Sequence, residues 1–323
     1  MSKKVLAPAV VLALALAAAS HAYAQAPYPA KAIRIISPFP PGGSVDTVAR
    51  IVAFELTKPL GQQIVVDNRS GASGNIGMEL AKNAPPDGYT LVLNTMPLVT
   101  NQFLYSKAPY DPIADFAPIS LISASPNVLT VHPSLPVKSV KELLALARAK
   151  PGALNYASAG PATNPHIAGE LFNYLGKTNI VVVHFKGGGP GLVATLAGET
   201  QVTFSNISET VGLVQAKKLR ALGVTSLKRT PLMPELPAIA ETIPGYEFTT
   251  WHALLAPRGT PPAVISTISE RLRAALRTPE GTKKFADRGL ELIASTPGEL
   301  AAHLKSEVQK WGRVIKERGM RAE

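Results

Sequence analysis

The chain has 323 residues, no cysteine, and 33 Lys+Arg against 22 Asp+Glu. Without thiols it can build neither a disulfide framework nor a thiolate-held zinc site. Its cationic residues are scattered, with no basic block and no aromatic-basic interleaving, which argues against nucleic acid as a partner and leaves an excess of +11 whose long-range field draws anions.

The first element in chain order reads as a leader. Met1-Ser2-Lys3-Lys4 is a short positive start, residues 5–19 are an apolar run of mainly Ala, Leu and Val, and Ala22-Tyr23-Ala24 has the small-x-small form of a cleavage site. Residues 1–24 are therefore expected to be a signal peptide, with the mature, exported chain starting near Gln25. The apolar run is shorter than the ~20 residues of a comfortable membrane span. About 300 mature residues suffice for two domains of ordinary size.

Past the leader, short apolar runs alternate with amphipathic segments, the pattern of an α/β fold in which strands are covered by helices. Strands are expected over residues 33–36, 64–66, 90–93, 128–131, 181–183, 202–204 and 221–224. Val48, Ile51, Val52 and Leu56 share one helical face. Asn164-Pro165, Thr260-Pro261 and Thr296-Pro297 each pair a capping side chain with proline at a first helical position, and Thr296 with Glu299 forms a capping box. Residues 261–323 carry no strand pattern and read as helical. The most informative local feature is Phe39-Pro40-Pro41-Gly42-Gly43-Ser44, which joins the first strand to a helix. Gly42 and Gly43 permit positive φ and close approach of a ligand, and a helix opening near Ser44 aims its free N–H groups and positive dipole end at the turn.

Further segments stand in a fixed order along the chain: VDNRSGASGNIG (66–77), PDGYTL (86–91), YDPIADFAPI (110–119), YASAGPATNPHIAGELF (156–172), HFKGGGPGLVATLAGETQVTFSN (184–206), ALGVTSLKR (221–229) and LLAPRGTPPAVI (254–265). With SPFPPGGSVDTVAR (37–50) they resemble the Bug family, the extracytoplasmic solute receptors of tripartite tricarboxylate transporters, over essentially the whole mature chain. The resemblance implies a two-lobed periplasmic binding protein of type II, each lobe a mixed or mostly parallel sheet flanked by helices, with a ligand cleft between the lobes. Lobe 1 is expected to comprise residues 25–125 and 249–323, and lobe 2 residues 126–248, with crossovers near 123–127 and 247–252. The C-terminal helices are expected to pack back on lobe 1. Implied partners are a small carboxylic acid and the membrane components of such a transporter, or a sensor protein; a monomer without cofactor or metal is expected, in the periplasm.

The same resemblance implies that the solute sits between two loops, Phe39, Pro40, Pro41, Gly42, Gly43 and Ser44 in one and Ser158 to Asn164 in the other. Ser44, Ser158 and Thr163 offer hydroxyls, Gly160 and its neighbours offer N–H groups, and each loop ends at a helix N-terminus. The implied ligand-binding set also includes Asp46, Ala162, Asn164, His166, Ser205 and Asn206. Asp46 fits the helix dipole and reads first as structural; facing the cleft it would hold a water, bind an ammonium or orient Ser44. His166, in a helical first turn, is expected to be neutral. Two positions depart from the family pattern, with Ala162 where glycine is common and Ser205 where aspartate is common. Loss of that acid favours simple carboxylic acids over amino acids.

A secreted Ser-dependent hydrolase is the alternative. Ser158 lies in YASAG, but Tyr156 takes the first glycine position of a G-x-S-x-G elbow, and His166 follows directly where that fold places its histidine late. The isolated His132, His184, His252 and His303 have no paired metal-ligand spacing.

Overall fold

The computed structural model describes residues 28–321, so the expected signal peptide lies outside the described residues. A first run of elements comprises β1 (Ile33–Ser37), α1 (Ser44–Leu60), β2 (Ile64–Asn68), α2 (Asn75–Lys82), β3 (Thr90–Asn94) and α3 (Pro97–Leu104). The long strand β4 (Phe116–Val131) leads into α4 (Val140–Ala149), β5 (Asn155–Ser158), α5 (Asn164–Gly176), β6 (Val181–His184), α6 (Gly188–Leu196), β7 (Val202–Asn206), α7 (Ile207–Gln215) and β8 (Arg220–Val224). The chain ends with β9 (Thr249–Pro257), α8 (Pro262–Leu276), α9 (Pro279–Ala286), the two-residue β10 (Glu291–Leu292) and α10 (Pro297–Arg318).

The described strands join in one mixed sheet of order β2-β1-β3-β9-β4-β7-β5-β6, with β8 and β10 also paired to β4. β1 is parallel to β2 and β3, and β5 is parallel to β6 and β7. β9 runs antiparallel to β3 and to residues 116–126 of β4, whereas residues 127–131 of β4 pair antiparallel with β7. One strand thus serves two sub-sheets in succession. Covered on both faces, β1 and β3 have apolar middles: Ile35, Ile36, Leu91, Val92 and Leu93 are fully buried, as parallel strands between helix layers require.

Each of the seven expected strands sits inside an observed one. The first part of β4 was not legible because Pro118, Pro126 and three serines interrupt any β-branched pattern. Its ladder with β9 shifts register between Pro118 and Ser120 and again between Leu121 and Ser123, bulges that accommodate proline in a paired strand. Thr296 caps α10 with Glu299 in the expected box. Thr260 does not cap: α8 opens at Pro262 after Pro261, and the Thr260 hydroxyl donates to the Pro257 carbonyl at 2.8 Å. The C-terminal segment is helical apart from β10.

α8 lies beside α1, and α10 runs along β4 and α3. Both tryptophans of the chain donate their indole N–H to one carboxylate oxygen of Glu307, Trp251 at 2.8 Å and Trp311 at 3.0 Å. Trp311 also packs edge-on against Phe248 at 5.8 Å, so Glu307 fixes α10 over the segment that enters β9. Glu307→Ala leaves two buried donors without an acceptor and is expected to cost about 2 kcal/mol. Urea denaturation followed by tryptophan fluorescence checks this, with native emission changed in the variant; unchanged stability contradicts the anchoring role.

Candidate functional site: a cleft between two turns

The turn after β1 is built around Asp46. Gly42 takes φ +85°, and its N–H donates to Asp46 Oδ2 at 3.0 Å, the oxygen that also accepts from Arg50 Nε at 2.9 Å. Asn68 Nδ2 donates both to Asp46 Oδ1 and to the Phe39 carbonyl, each at 3.0 Å. Burial pushes the Asp46 carboxyl up, but the hydrogen bonds from Arg50, Gly42 and Asn68 together with the Arg50 charge prevail and hold it below its ordinary value. Asp46 therefore stitches the turn from behind. The N-cap of α1 is Gly43, which has no side chain to cap the helix, so the first-turn amides of α1 face forward, that of Ser44 toward the Glu209 carboxylate.

The turn after β5 is also internally bonded. The Ser158 hydroxyl donates to the Gly160 carbonyl at 2.9 Å and accepts the Gly160 N–H at 3.2 Å, while the Thr163 hydroxyl donates to the same carbonyl at 2.6 Å. Gly160 has φ +122° and Ala162 φ +63°. The second value gives a backbone reason for glycine to be common at 162, since an L side chain in this region costs roughly 1–2 kcal/mol. Ala162 N–H donates to His166 Nδ1 at 3.1 Å, which fixes His166 as a neutral ring; burial first, and the nearby His184 second, lower it to about 4. No side chain caps α5, because Thr163 turns to Gly160 and Asn164 Nδ2 donates to Thr95 Oγ1 at 3.3 Å.

The two turns meet across a cleft of about 230 Å³. Phe39, Pro40, Pro41, Gly42, Gly43 and Ser44 line one side, and Thr163, Asn164 and Asn206 line the other. Six of the sequence-derived residues do not reach the wall: Asp46, Ser158, Gly160, Ala162 and His166 build the turns from behind, and Ser205 pairs its hydroxyl with Thr203 at 2.8 Å. The sequence reading missed Thr95, Asn127, the Gly187-Gly188-Gly189-Pro190 turn and Glu209, all on the wall. Gly187 as N-cap with Gly188, Gly189 and Pro190 in the first turn of α6 was a usable signal for this third stretch of wall. Glu209 had none, being one acid among exposed-looking residues of α7.

Among the described residues no Lys, Arg or His lines the cleft, so an anion there would meet backbone N–H groups and, Glu209 apart, neutral side chains. Asn164 is 8% exposed, and its Oδ1 has no partner. Among the described residues the one acid on the wall is Glu209, pushed up to about 7 by burial, against the N–H groups of Ser44 and Asn206 that lower it. The wall therefore carries an acid although Ser205 stands where aspartate is common. Among the described residues no cluster of three His, Asp or Glu stands ready for a metal. Ser158 is 1% exposed, with its proton donated to Gly160; His184 Nδ1 lies 3.2 Å from its Oγ, but the hydroxyl is off the wall and is not placed as a nucleophile.

The halves also touch directly. Thr100 of α3 donates to the Ala162 carbonyl at 3.2 Å, and Asn127, where β4 passes from β9 to β7, donates Nδ2 to the Phe204 carbonyl at 2.6 Å and accepts from Thr250 at 2.7 Å.

Two consequences are measurable. Asp46→Ala removes the charge-assisted bonds of a buried carboxylate to its turn and should cost about 2 kcal/mol in denaturation experiments. His166 has a folded value of about 4 against about 6.5 when unfolded, so stability is full above the unfolded value and falls as pH drops from about 6.5 to about 4. His166→Asn keeps an acceptor for the Ala162 N–H without titrating. Denaturation midpoints between pH 7 and 4 should fall less steeply for this variant; parallel curves contradict the assignment.

Residues 48–320 match the family model described as tripartite tricarboxylate transporter family receptor. The protein BugT of Bordetella pertussis is 34% identical over 90% of this chain and 90% of its own length. Among solved structures, R. palustris Rpa4515 with adipate is similar with TM-score 0.88 and 36% identity, covering 91% of this chain and 99% of that one. MatC from Rhodopseudomonas palustris with bound malate gives TM-score 0.84 and 29% identity over 89% of this chain and 100% of that one.

Proposed function

Since the chain belongs to the tripartite tricarboxylate transporter receptor family, we propose that it is an exported periplasmic receptor which captures one small carboxylic acid in the cleft and presents it to membrane components of such a transporter, or to a sensor. The observation that carries this reading is the pair of helix N-termini, α1 and α5, neither capped by its own N-cap side chain, that reach one cationless cleft from opposite sides. Each is an anion site made from backbone amides and a helix dipole. Adipate in Rpa4515 and malate in MatC make a small acid the ligand class of choice.

In this reading the ligand contacts are the Gly43 and Ser44 amides, the Asn164 amide group and the start of α5, while Asp46, Ser158, Thr163 and His166 hold those contacts in place. Residues 25–125 with 249–323 act as one lobe and 126–248 as the other, with β4 and the entry to β9 as hinge. An acid touching both lobes binds their closed arrangement better and shifts the population toward it.

Calorimetry on refolded protein, with adipate, malate and a series of mono- to tricarboxylates, tests the reading. An acid is expected to bind without added metal, and Asn164→Ala, which removes a hydrogen bond to a charged group, should lose about 1.5–3 kcal/mol of affinity while remaining folded. A preference for neutral sugars over every acid, or a requirement for zinc or calcium, contradicts it.

A further inference from the structure

Among the described residues Glu209 is the only carboxylate on the cleft wall. It stands in the first turn of α7, and the N–H groups of Asn206 and of Ser44, the latter opening α1 on the opposite side, point at it. A Cβ placed on Gly188 would lie 3.3 Å from both of its oxygens, so the Gly187–Pro190 turn closes over it. The elements packed around it bring no counter-charge. The turn 39–44, the turn 187–190 and residues 206–208 hold no ionisable side chain; Asp46 is turned to Arg50 and Asn68; Lys186 is exposed and does not contribute to Glu209's titration.

We propose, building on the receptor reading above, that the cleft takes its acid together with one proton: in the complex Glu209 is protonated and donates its O–H to the ligand carboxylate at the Ser44 end. The Ser44 amide is the donor an incoming anion needs, and Glu209 already claims it. Two carboxylates at one amide, with no cation between them, cannot both stay charged. Burial has brought Glu209 to about 7, so near neutrality its protonated form is already well populated. Glu209 is then a specificity-determining residue. It selects solutes that present a carboxylate acceptor at this end, whereas an ammonium placed there would keep Glu209 ionised and reverse the pH dependence. The buried Asn164 Oδ1, an acceptor without a partner, is an independent contact on the facing wall for a donor of the ligand such as a hydroxyl.

The test is calorimetry of adipate, malate and the same acid series against wild type, Glu209→Gln and Glu209→Ala, at about pH 6.5 and about pH 8.5, in two buffers of different ionisation enthalpy. Wild-type affinity should weaken about 20-fold between the two pH values, with close to one proton taken up per acid at the higher one, because above its folded pKa a group that must be protonated costs tenfold per pH unit. Both variants should bind with neither pH dependence nor proton uptake. Acids that bind wild type equally at both pH values without proton uptake overturn this inference and leave the receptor reading standing. Tighter binding at the higher pH, or loss of all binding in both folded variants, also overturns it by making ionised Glu209 a direct ligand contact. If no acid binds any of the three proteins at either pH, the receptor reading falls and this inference falls with it.

Discussion

The molecule depends on a single strand shared by two sub-sheets. β4 pairs with β9 over residues 116–126 and with β7 over 127–131, so its ladder bonds fix the first run of elements against the second. Asn127 sits at the change of partner and is bonded on both sides. Given this frame, the carboxyl ends of β1 and β5, each in a parallel sub-sheet, open toward a common crevice, which is where ligands are expected in open α/β sheets. The turns that follow these two strands therefore meet without any long loop reaching across.

The cleft's chemistry comes mainly from backbone, and most polar side chains near it are used to shape that backbone. Asp46 holds Gly42 in its turn, Ser158 and Thr163 both bind the Gly160 carbonyl, and neutral His166 accepts the Ala162 N–H. Amides fixed in this way need little reorganisation when an anion arrives, which favours binding by reducing the ordering cost. The arrangement also explains a cleft that would bind an acid without a cationic side chain: a guanidinium between the walls would pair with Glu209, whereas amide dipoles leave that carboxyl near the point where it can change protonation state.

Much of the fold could be read from the sequence. Runs such as Ile33-Arg34-Ile35-Ile36 and the Gly42-Gly43 turn carry their structure locally, in β-branching and in permitted φ. The first part of β4 could not be read, because its prolines and serines are tolerated only through bulges opposite β9. The site divides in the same way. The turn 39–44 and the turn 158–164 were legible as glycine- and proline-bearing helix starts, but which of their residues face forward was not. That orientation is decided by partners distant in sequence: Asn68 for Asp46, Thr95 for Asn164, Thr100 for Ala162. Glu209 acquires its character only where α7 meets the Ser44 amide, a contact between residues far apart in the chain.

The central claim is that two helix N-termini from opposite sub-sheets share one acid. The most direct measurement is a crystal structure of the protein with its best-binding acid. The account predicts a ligand carboxylate within hydrogen-bond distance of the Gly43 or Ser44 N–H on one side, with polar ligand atoms reaching Asn164 or the start of α5 on the other. An acid bound outside this cleft, or held by one wall alone with lysine or arginine as its anchor, would contradict it.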